Sequence, residues 1–441
     1  MTISADPSQS SPYITFDTAL CTGCGKCIKA CPTKAIRLYN DNPTCLTNNC
    51  IRCGECLRVC PAGAISITTY ELEALRKDKV SIALVSPVLY SQFKGVMPND
   101  ILMAIKKIGF HNAMDPSSYI EMFLYAVEEY IAKNRITGLS PWPLISPVCP
   151  VVMSLIAYQF PNLLPHLMPI MRPVFLLAKE TRERISWEYK INKDAIILYH
   201  LTPCPAKLVP IRSSFAREIS LVDRTMGIKD VYAQISVQLN QMKKNGIEAS
   251  MDGPEPPKIS GNCLRWGTAG GEIAGIDSDK TLAVSGLRET ITYLEKIEMG
   301  LFKDIEYIEF RICPEGCVGG ALNAVDKYMA KNTILKMLKK FGPERNMPLD
   351  KVLPRYENIW ALSDMTPDEL QRIFGVYKEH ISIEQLQEIE KILKQIQGKD
   401  CSICGAPDCR TFAEDVVTGK AKLHDCVMLR KRETDKVLEN K

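Results

Sequence analysis

Cysteine is the residue type whose number and spacing in this chain point most directly to chemistry. The 441-residue sequence contains 18 cysteines, and all but Cys45 and Cys263 fall into four sets of four. Thiolate sulfur binds soft metal ions and iron–sulfur clusters, and tight groups of cysteines suit such centres better than disulfides. So many thiols in metal-ligand spacing predict a protein of several metal centres that works in a reducing compartment.

One cysteine run, C-x2-C-x2-C-x3-C-P, occurs twice near the amino terminus. Its members are Cys21, Cys24, Cys27 and Cys31 in the first copy, and Cys50, Cys53, Cys56 and Cys60 in the second. The repeat resembles that of bacterial two-cluster ferredoxins, in which the fourth cysteine of each run ligates the other cluster. The resemblance implies that Cys60 joins the first triple on one [4Fe–4S] cluster and that Cys31 joins the second triple on another. Zinc is the alternative, although zinc sites usually present separated pairs of cysteines.

A third set of cysteines stands near the carboxyl terminus. It reads Cys401-x2-Cys404-x4-Cys409, with Cys426 further on. This segment resembles the small [4Fe–4S] module of Rnf-type electron-transport subunits and corrinoid iron–sulfur proteins, which implies a further cluster. Four cysteines also suit zinc, so zinc stays an alternative here too.

The last set is scattered through the middle of the chain in three short motifs. They are Ser146–Pro150 (SPVCP), Thr202–Lys207 (TPCPAK) and Cys313–Gly320 (CPEGCVGG). Their order and contexts resemble the three signatures around the active-site H-cluster of [FeFe]-hydrogenases. The resemblance implies a [4Fe–4S] cluster on Cys149, Cys204, Cys313 and Cys317, with Cys317 bridging to a two-iron unit. Without the resemblance, four scattered cysteines would be ordinary buried thiols.

The same resemblance implies a pocket for the two-iron unit, which involves Pro87, Lys207, Arg311, Gly319 and Gly320. Lys207 stands where the family hydrogen-bonds a cyanide ligand, and glycine lets backbone approach a bulky group closely. Arg311 replaces a pocket methionine, and a buried arginine needs an anionic partner. Arg311 either pairs with an anionic cofactor or fills the cofactor's space. We expect it to fill the space, and whether the two-iron unit binds stays open.

The proton route of the family is where this sequence departs most. Val148 replaces the cysteine that passes protons to the two-iron unit, Met168 replaces a serine, and Ala132 replaces one of two glutamates. General acid–base work needs a titratable group within hydrogen-bond reach of the proton, and valine has none. Lys207 and Glu129, which aligns with the other glutamate, are the candidates left for catalytic roles. We expect the usual proton route to be broken.

These sites need a framework, and the apolar runs of the chain predict one. Val80–Val85, Ala195–Tyr199 and Thr281–Val284 predict strands, and Glu71–Lys79, Ser117–Asn134 and Arg288–Met299 predict helices. Such alternation of strands and helices predicts an α/β core. Capping boxes at 366–369 and 382–385 predict two further helices.

We predict five segments in chain order. They are a disordered tail at 1–12, a ferredoxin-like α+β domain at 13–78, a hydrogenase-like α/β core at 79–342, a helical connector at 343–397 and a small helical [4Fe–4S] domain at 398–441. The formal charge of +4 and the lack of arginine-rich tracts argue against a nucleic-acid partner. Four prolines in the most apolar stretch, 141–158, argue against a membrane span. We expect a cytoplasmic location.

The expected function is therefore electron transfer. The sequence favours a hydrogenase-like protein that relays or senses electrons through four [4Fe–4S] clusters, serves a redox protein partner and lacks normal H2 turnover. One alternative is a low-activity or sensory [FeFe]-hydrogenase that still binds the two-iron unit and acts with a separate signalling protein. Another is an electron-conducting scaffold subunit of a larger oxidoreductase complex.

Overall fold

The computed structural model describes residues 14–39, 42–67, 72–75, 78–207, 222–247, 259–342, 381–396 and 398–432. These residues divide into two compact units: residues 14–67 together with 381–432, and residues 72–342. The predicted tail at 1–12, most of the predicted connector and the capping box at 366–369 lie outside the described residues.

The strands and helices of the described residues are as follows. The strands are β1 (Ile14–Phe16), β2 (Ile36–Tyr39), β3 (Asn42–Cys45), β4 (Ile65–Ile67), β5 (Val80–Val85), β6 (Asn112–Met114), β7 (Leu144–Ile145), β8 (Ile196–Thr202), β9 (Arg224–Gly227), β10 (Thr281–Ser285) and β11 (Tyr307–Arg311). The helices are α1 (Lys26–Ala30), α2 (Glu55–Val59), α3 (Pro98–Lys107), α4 (Ser117–Thr137), α5 (Pro150–Gln159), α6 (Pro173–Tyr189), α7 (Ile228–Lys244), α8 (Gly261–Arg265), α9 (Leu287–Glu298), α10 (Lys327–Phe341), α11 (Ile383–Gln395) and α12 (Cys409–Val417).

The larger unit is built on two parallel sheets, which confirms the predicted α/β core. One sheet has the strand order β6-β5-β8-β9 and the other has the order β10-β11-β7. All seven residues of β8 are buried, because a strand inside a parallel sheet is covered on both faces. The three predicted strands and the helices predicted at 117–134 and 288–299 are present with shifts of a few residues. The predicted helix Glu71–Lys79 is wrong: a short 3-10 turn at Leu72–Ala74 stands there, and β5 begins at Val80.

The four-stranded sheet carries a separate apolar layer on each face. Ile82 and Leu84 of β5 pack in one layer with Leu177 and Ile185 of α6. The alternate residues of β5 belong to the other layer, together with apolar residues of α3 and α7. Successive side chains of a strand point to opposite faces, so one strand anchors both layers. Each fully buried Leu or Ile contributes roughly 1.5–3 kcal/mol, which fixes the sheet as a frame for the loops at its ends.

The smaller unit combines both ends of the described chain. Two antiparallel pairs, β1-β4 and β2-β3, accompany the short helices α1 and α2. Helix α11 begins with the predicted capping box: Ser382 accepts from the N–H of Gln385, and the Gln385 side chain accepts from the N–H of Ser382. Its Ile389 and Ile392 pack with Phe412 of α12. The helix assigned from the sequence to the connector thus packs against the C-terminal cysteine segment.

Candidate metal centres

Four loops of the larger unit converge on one cavity of about 60 Å³. They follow the carboxyl ends of β5, β7, β8 and β11, which belong to both parallel sheets. The cysteines that line the cavity are Cys149, Cys204, Cys313 and Cys317. Ligand sites in open parallel sheets form at this end, because the strands deliver their loops to a common crevice. The topology therefore brings together four thiols that are far apart in the sequence.

Local hydrogen bonds set the Cys149 and Cys204 loops. Cys149 caps helix α5, with Pro150 at the first helical position, where a missing N–H costs nothing. The N–H of Cys204 donates to Oγ1 of Thr202 over 3.2 Å. Thr202 itself is not among the described residues that line the cavity. Its hydroxyl shapes the cysteine loop instead.

Gly319 and Gly320 allow the cysteine loops to meet. A Cβ on Gly319 would lie 2.1 Å from the carbonyl oxygen of Pro314, and one on Gly320 would lie 2.4 Å from that of Pro203. Both carbonyls belong to residues next to cysteines of the site. The close approach at these glycines is between backbone and backbone, and the approach to a cofactor that the resemblance implied stays a prediction; Gly320 also lines the cavity.

Three cationic side chains, those of Arg172, Lys207 and Arg311, line the same cavity. Burial lowers the pKa of Arg172 to about 10, although Cys149 and Cys204 oppose the shift. Burial raises the pKa of the Cys204 thiol to about 11, while the charge of Lys207 acts in the other direction. A metal ligand must be a thiolate, so neighbouring cations favour the form that binds a cluster.

Arg311 has its countercharges inside the protein. Its Nη2 donates to Oε2 of Glu272 over 2.6 Å, and its Nε lies 3.2 Å from Oε1 of Glu309. The guanidinium carbon lies 5.6 Å from the ring centre of Trp266. Only 1% of the Arg311 side chain is exposed. Burial alone would lower its pKa, but the two carboxylates outweigh burial and raise it.

The hydrogen bonds of the Arg311 guanidinium are incomplete within the described residues. Nη1 and Nε are buried and make no hydrogen bond within the part of the chain that the structure describes. Buried donors are rarely left unpaired, and hydrogen bonds to cluster sulfur are a recognised way to tune its potential. Nε already faces Glu309, whereas Nη1 has no such partner among the described residues. An iron–sulfur cluster on the four thiols would offer acceptor sulfur to Nη1, so the donor set of the cavity fits such a cluster.

The residues of the predicted proton route occupy different surroundings. Val148 is buried and lines the cavity, as do Pro87 and Lys207. Glu129 lies on the exposed side of α4, and Met168 is buried. Of the described residues that line the cavity, neither Glu129 nor Met168 is one. The structure therefore separates Glu129 from the thiols that the sequence groups it with.

Two cavity residues escaped the sequence analysis. His200 is buried on β8 and faces the cavity, and burial together with Lys207 and Arg172 holds its pKa well below the usual range. A neutral imidazole therefore faces the thiols. Its position four residues before Cys204, at the end of a buried strand, was the available signal. Arg172 gave no such signal, because only the fold brings its loop to the cavity.

The cysteines near the amino terminus form two groups. Cys21, Cys24, Cys27 and Cys60 line one cavity of about 20 Å³. Cys31, Cys50, Cys53 and Cys56 form the other group. Burial raises the pKa of Cys31, Cys53 and Cys56, and the charges of neighbouring thiols in the group raise it further, so that burial first, and then Cys50 and Cys31, raise that of Cys56 to about 12. Each group therefore takes three cysteines from one run and the fourth from the other. Cys45 also reaches the second group, where it shares a hydrogen bond with Cys50.

The two short helices beside these groups repeat one device. Gly25 precedes α1 with φ 68°, and Gly54 precedes α2 with φ 74°, in the left-handed region that glycine adopts without strain. The turn lets the N–H of Lys26 donate to the Cys24 sulfur, and the N–H of Glu55 to the Cys53 sulfur. Both bonds lower the thiol pKa and so favour thiolate, even where burial outweighs them at Cys53.

The four cysteines of the C-terminal set form a fourth group. Cys401, Cys404, Cys409 and Cys426 line a cavity of about 20 Å³. Asp408 caps α12 by accepting from the N–H of Thr411 over 2.8 Å, which fixes Cys409 at the helix start. Within the described residues no three His, Cys, Asp or Glu side chains are close enough to share a single metal ion. In a [4Fe–4S] cluster each cysteine binds its own iron atom, so the sulfurs need not converge on one point.

Comparison with known proteins gives three family matches. Residues 13–73 match the 4Fe–4S dicluster domain, residues 79–271 match the C-terminal domain of the iron-only hydrogenase large subunit, and residues 396–428 match an Fe–S cluster family. The matched segments contain all but two of the cysteines grouped above, Cys313 and Cys317.

Solved [FeFe]-hydrogenases are similar to this chain at low identity. A structure on stepwise H-cluster assembly has 14% identity and a TM-score of 0.47, covering 65% of this chain and 92% of that one. One on oxygen inactivation through the 2Fe subcluster has 14% identity and a TM-score of 0.49, with 68% and 95% covered. An apo variant from Chlamydomonas reinhardtii has 14% identity and a TM-score of 0.48, with 65% and 92% covered.

The chain is an iron–sulfur protein of the electron-transfer class. Its segment 79–271 matches the C-terminal domain of the iron-only hydrogenase large subunit and lies in the sequence between a dicluster domain and a further Fe–S domain, as the sequence motifs predicted. It carries [4Fe–4S] clusters. Across the described ranges, no helix has the length and apolar character needed to cross a membrane.

Proposed function

We propose that this protein relays or senses electrons through four [4Fe–4S] clusters and lacks normal H2 turnover. The ligands are the four groups of cysteines described above, including the cross-ligation by Cys31 and Cys60. A [4Fe–4S] cluster supplies one-electron chemistry, and the protein tunes its potential through hydrogen bonds to sulfur and through burial. The partner is a redox protein, and the site of action is the cytoplasm.

The pairing of Arg311 carries this proposal. A permanently charged guanidinium that is almost fully buried requires an anion. Glu272 and Glu309 already supply it, so Arg311 does not depend on an anionic two-iron unit. Its side chain occupies space in the cavity where the resemblance has a methionine. This supports the interpretation that Arg311 fills the pocket.

The cavity wall supports the same conclusion for protons. Val148 presents hydrocarbon where the family presents a proton-passing thiol, and Glu129 is on the protein surface. His200 faces the cavity, but it is held neutral and lies beside two cations that disfavour its protonation. Proton delivery to a cluster on the four cavity thiols would need a side chain that can hold a proton near neutral pH. Val148 cannot do this.

Infrared spectroscopy tests the proposal. Protein purified without oxygen, after co-expression with the hydrogenase maturation machinery, should show no bands from iron-bound carbon monoxide or cyanide. Its iron content should be about sixteen atoms per chain, against about eighteen with a two-iron unit. An active [FeFe]-hydrogenase matured in the same cells is the positive control. Carbon monoxide and cyanide bands in this protein would contradict the proposal.

The second candidate is a low-activity or sensory hydrogenase that binds the two-iron unit. The observation in its favour is that Lys207 and Pro87 still line the cavity. The Val148→Cys variant separates the two candidates further. If the pocket is filled, restoring the thiol should produce no hydrogen evolution; if only the proton route is missing, activity should appear.

A further inference from the structure

We infer that the C-terminal cluster and the cluster of Cys21, Cys24, Cys27 and Cys60 form a directly coupled electron-transfer pair, joined where Gly405 meets Leu38. The inference rests on the proposed function, because it takes both sites to hold [4Fe–4S] clusters. It adds an order to them: electrons pass between these two sites without an intermediate carrier.

A short connection joins the two sites. Gly405 follows Cys404, a ligand of the C-terminal site, and its carbonyl oxygen accepts from the N–H of Leu38 over 2.9 Å. Leu38 itself lines the cavity of Cys21 and its three partners. One peptide unit, one hydrogen bond and one side chain therefore span from a thiol of one site to the wall of the other. Electron tunnelling weakens steeply with distance and with gaps through space, so such a contact favours transfer.

Gly405 makes this contact possible. Its φ is +84°, and a Cβ there would lie 1.7 Å from the carbonyl oxygen of Leu38. The two backbones touch with no room for any side chain. Leu38 lies on β2, so the contact also pairs a backbone N–H of this strand with the C-terminal segment.

A buried ion pair fixes the register of the contact. Arg37 precedes Leu38, and its Nε and Nη2 donate to the two carboxylate oxygens of Asp415 over 2.5 and 3.2 Å. Both side chains are 4% exposed. Asp415 lies on α12, the helix that begins at Cys409. A two-point Arg–carboxylate pair is directional, so it holds α12 and β2 in one alignment.

The step is a one-electron exchange. One cluster loses an electron and is oxidised, the other gains it and is reduced, and no proton or bond is involved. When both clusters are reduced, each would carry an unpaired spin, and the spins of directly coupled clusters interact magnetically. A docking contact without functional proximity of the clusters would leave the spins independent.

Electron paramagnetic resonance of the dithionite-reduced full chain is the test. The wild type should show splitting and fast relaxation that involve the C-terminal cluster. Gly405→Ala should separate the sites and release a narrow, slowly relaxing signal of about one spin per chain. Gly419→Ala is the matched control: Gly419 also has positive φ, +74°, but its Cβ would meet nothing within 4 Å. This control should keep the wild-type spectrum.

Metal analysis keeps the outcomes distinct. If Gly405→Ala loses about four iron atoms per chain, the variant has lost the cluster. The same spectrum is then recorded on Asp415→Asn, which weakens the ion pair with Arg37 without adding a side chain at Gly405. Independent spins in the wild type, or unchanged coupling in Gly405→Ala with full iron, would overturn the inference while leaving the proposed function intact. Zinc in the C-terminal site would instead refute the proposed cluster there.

Discussion

The cysteine groups near the amino terminus and the group in the large cavity reach similar ligand sets by different means. In residues 14–67 the ligands come from two runs a few residues long, and backbone N–H groups at glycine turns reach the sulfurs. In the cavity the ligands come from loops of two sheets, and charged side chains surround them. We expect the first region to need its metal for folding, whereas the second has two apolar layers that frame its loops.

The largest expected effect is the difference in protease sensitivity between the two regions after each loses a metal ligand. Cys60→Ser should remove about four of sixteen iron atoms and leave residues 14–67 sensitive to protease, because a region this small needs its metal to fold. Cys204→Ser should lose as much iron while the larger unit stays resistant. Limited proteolysis with iron analysis measures both. Cys45→Ser, outside the predicted ligand set, should keep full iron; equal protease sensitivity of Cys60→Ser and Cys204→Ser would contradict the distinction.

The next effect concerns the charges of the cavity. Arg311→Met should lower the free energy of unfolding by about 3–5 kcal/mol, because it leaves two carboxylates buried without their cation. Urea unfolding followed by tryptophan fluorescence measures the change. Arg311→Met combined with Glu272→Gln should recover part of the loss. A loss below about 1 kcal/mol would mean that Glu272 and Glu309 are not the countercharges of Arg311.

A pH dependence sharpens the same point. Burial raises the pKa of Glu309 from 4.5 to about 7. An acid whose folded pKa is raised contributes full stability below its unfolded pKa and loses that contribution as the pH rises through the folded value. Between about pH 4.5 and 7 the wild type should therefore lose up to about 3 kcal/mol relative to Glu309→Gln. Unfolding curves at several pH values test this, and parallel profiles for the two proteins would disprove it.

The smallest effect is expected at the exposed pair of the smaller unit. Lys34 lies 2.7 Å from Asp408, and 47% of the Lys34 side chain is exposed. Lys34→Ala should change stability by less than about 1 kcal/mol, because solvent screens such pairs. Asp415→Asn, at the buried pair, is the comparison variant and should cost more. Thermal unfolding measures the stability loss of both variants. A larger loss for Lys34→Ala than for Asp415→Asn would show that burial does not determine how much these ion pairs stabilise the protein.

The same contrast explains what the sequence could predict. The cysteine runs, the short motifs around the scattered cysteines and the β-branched segment at 80–85 are local patterns, so the family resemblances and the strand could be predicted from them. The partners of Arg311 were not predictable. Glu272 lies in a separate loop, and Glu309 lies on a buried strand whose other residues gave no reason to expect a carboxylate partner. The contact between Leu38 and Gly405 was also out of reach, since nothing in either segment encodes the other. The helix predicted at 71–79 was wrong because a single 3-10 turn, in which residues i and i+3 lie on the same side, is enough to pack Leu72 and Leu75 against the core.

The ion pair between Arg37 and Asp415 joins residues 378 positions apart. During synthesis Arg37 leaves the ribosome early, and its carboxylate emerges only when almost all of this sequence has been translated. A chain that stops short leaves a guanidinium in an apolar seam with nothing to neutralise it. Translation through Asp415 is thereby a condition for closing the region around Arg37, and quality-control proteases would meet copies that end before Asp415 in an open form.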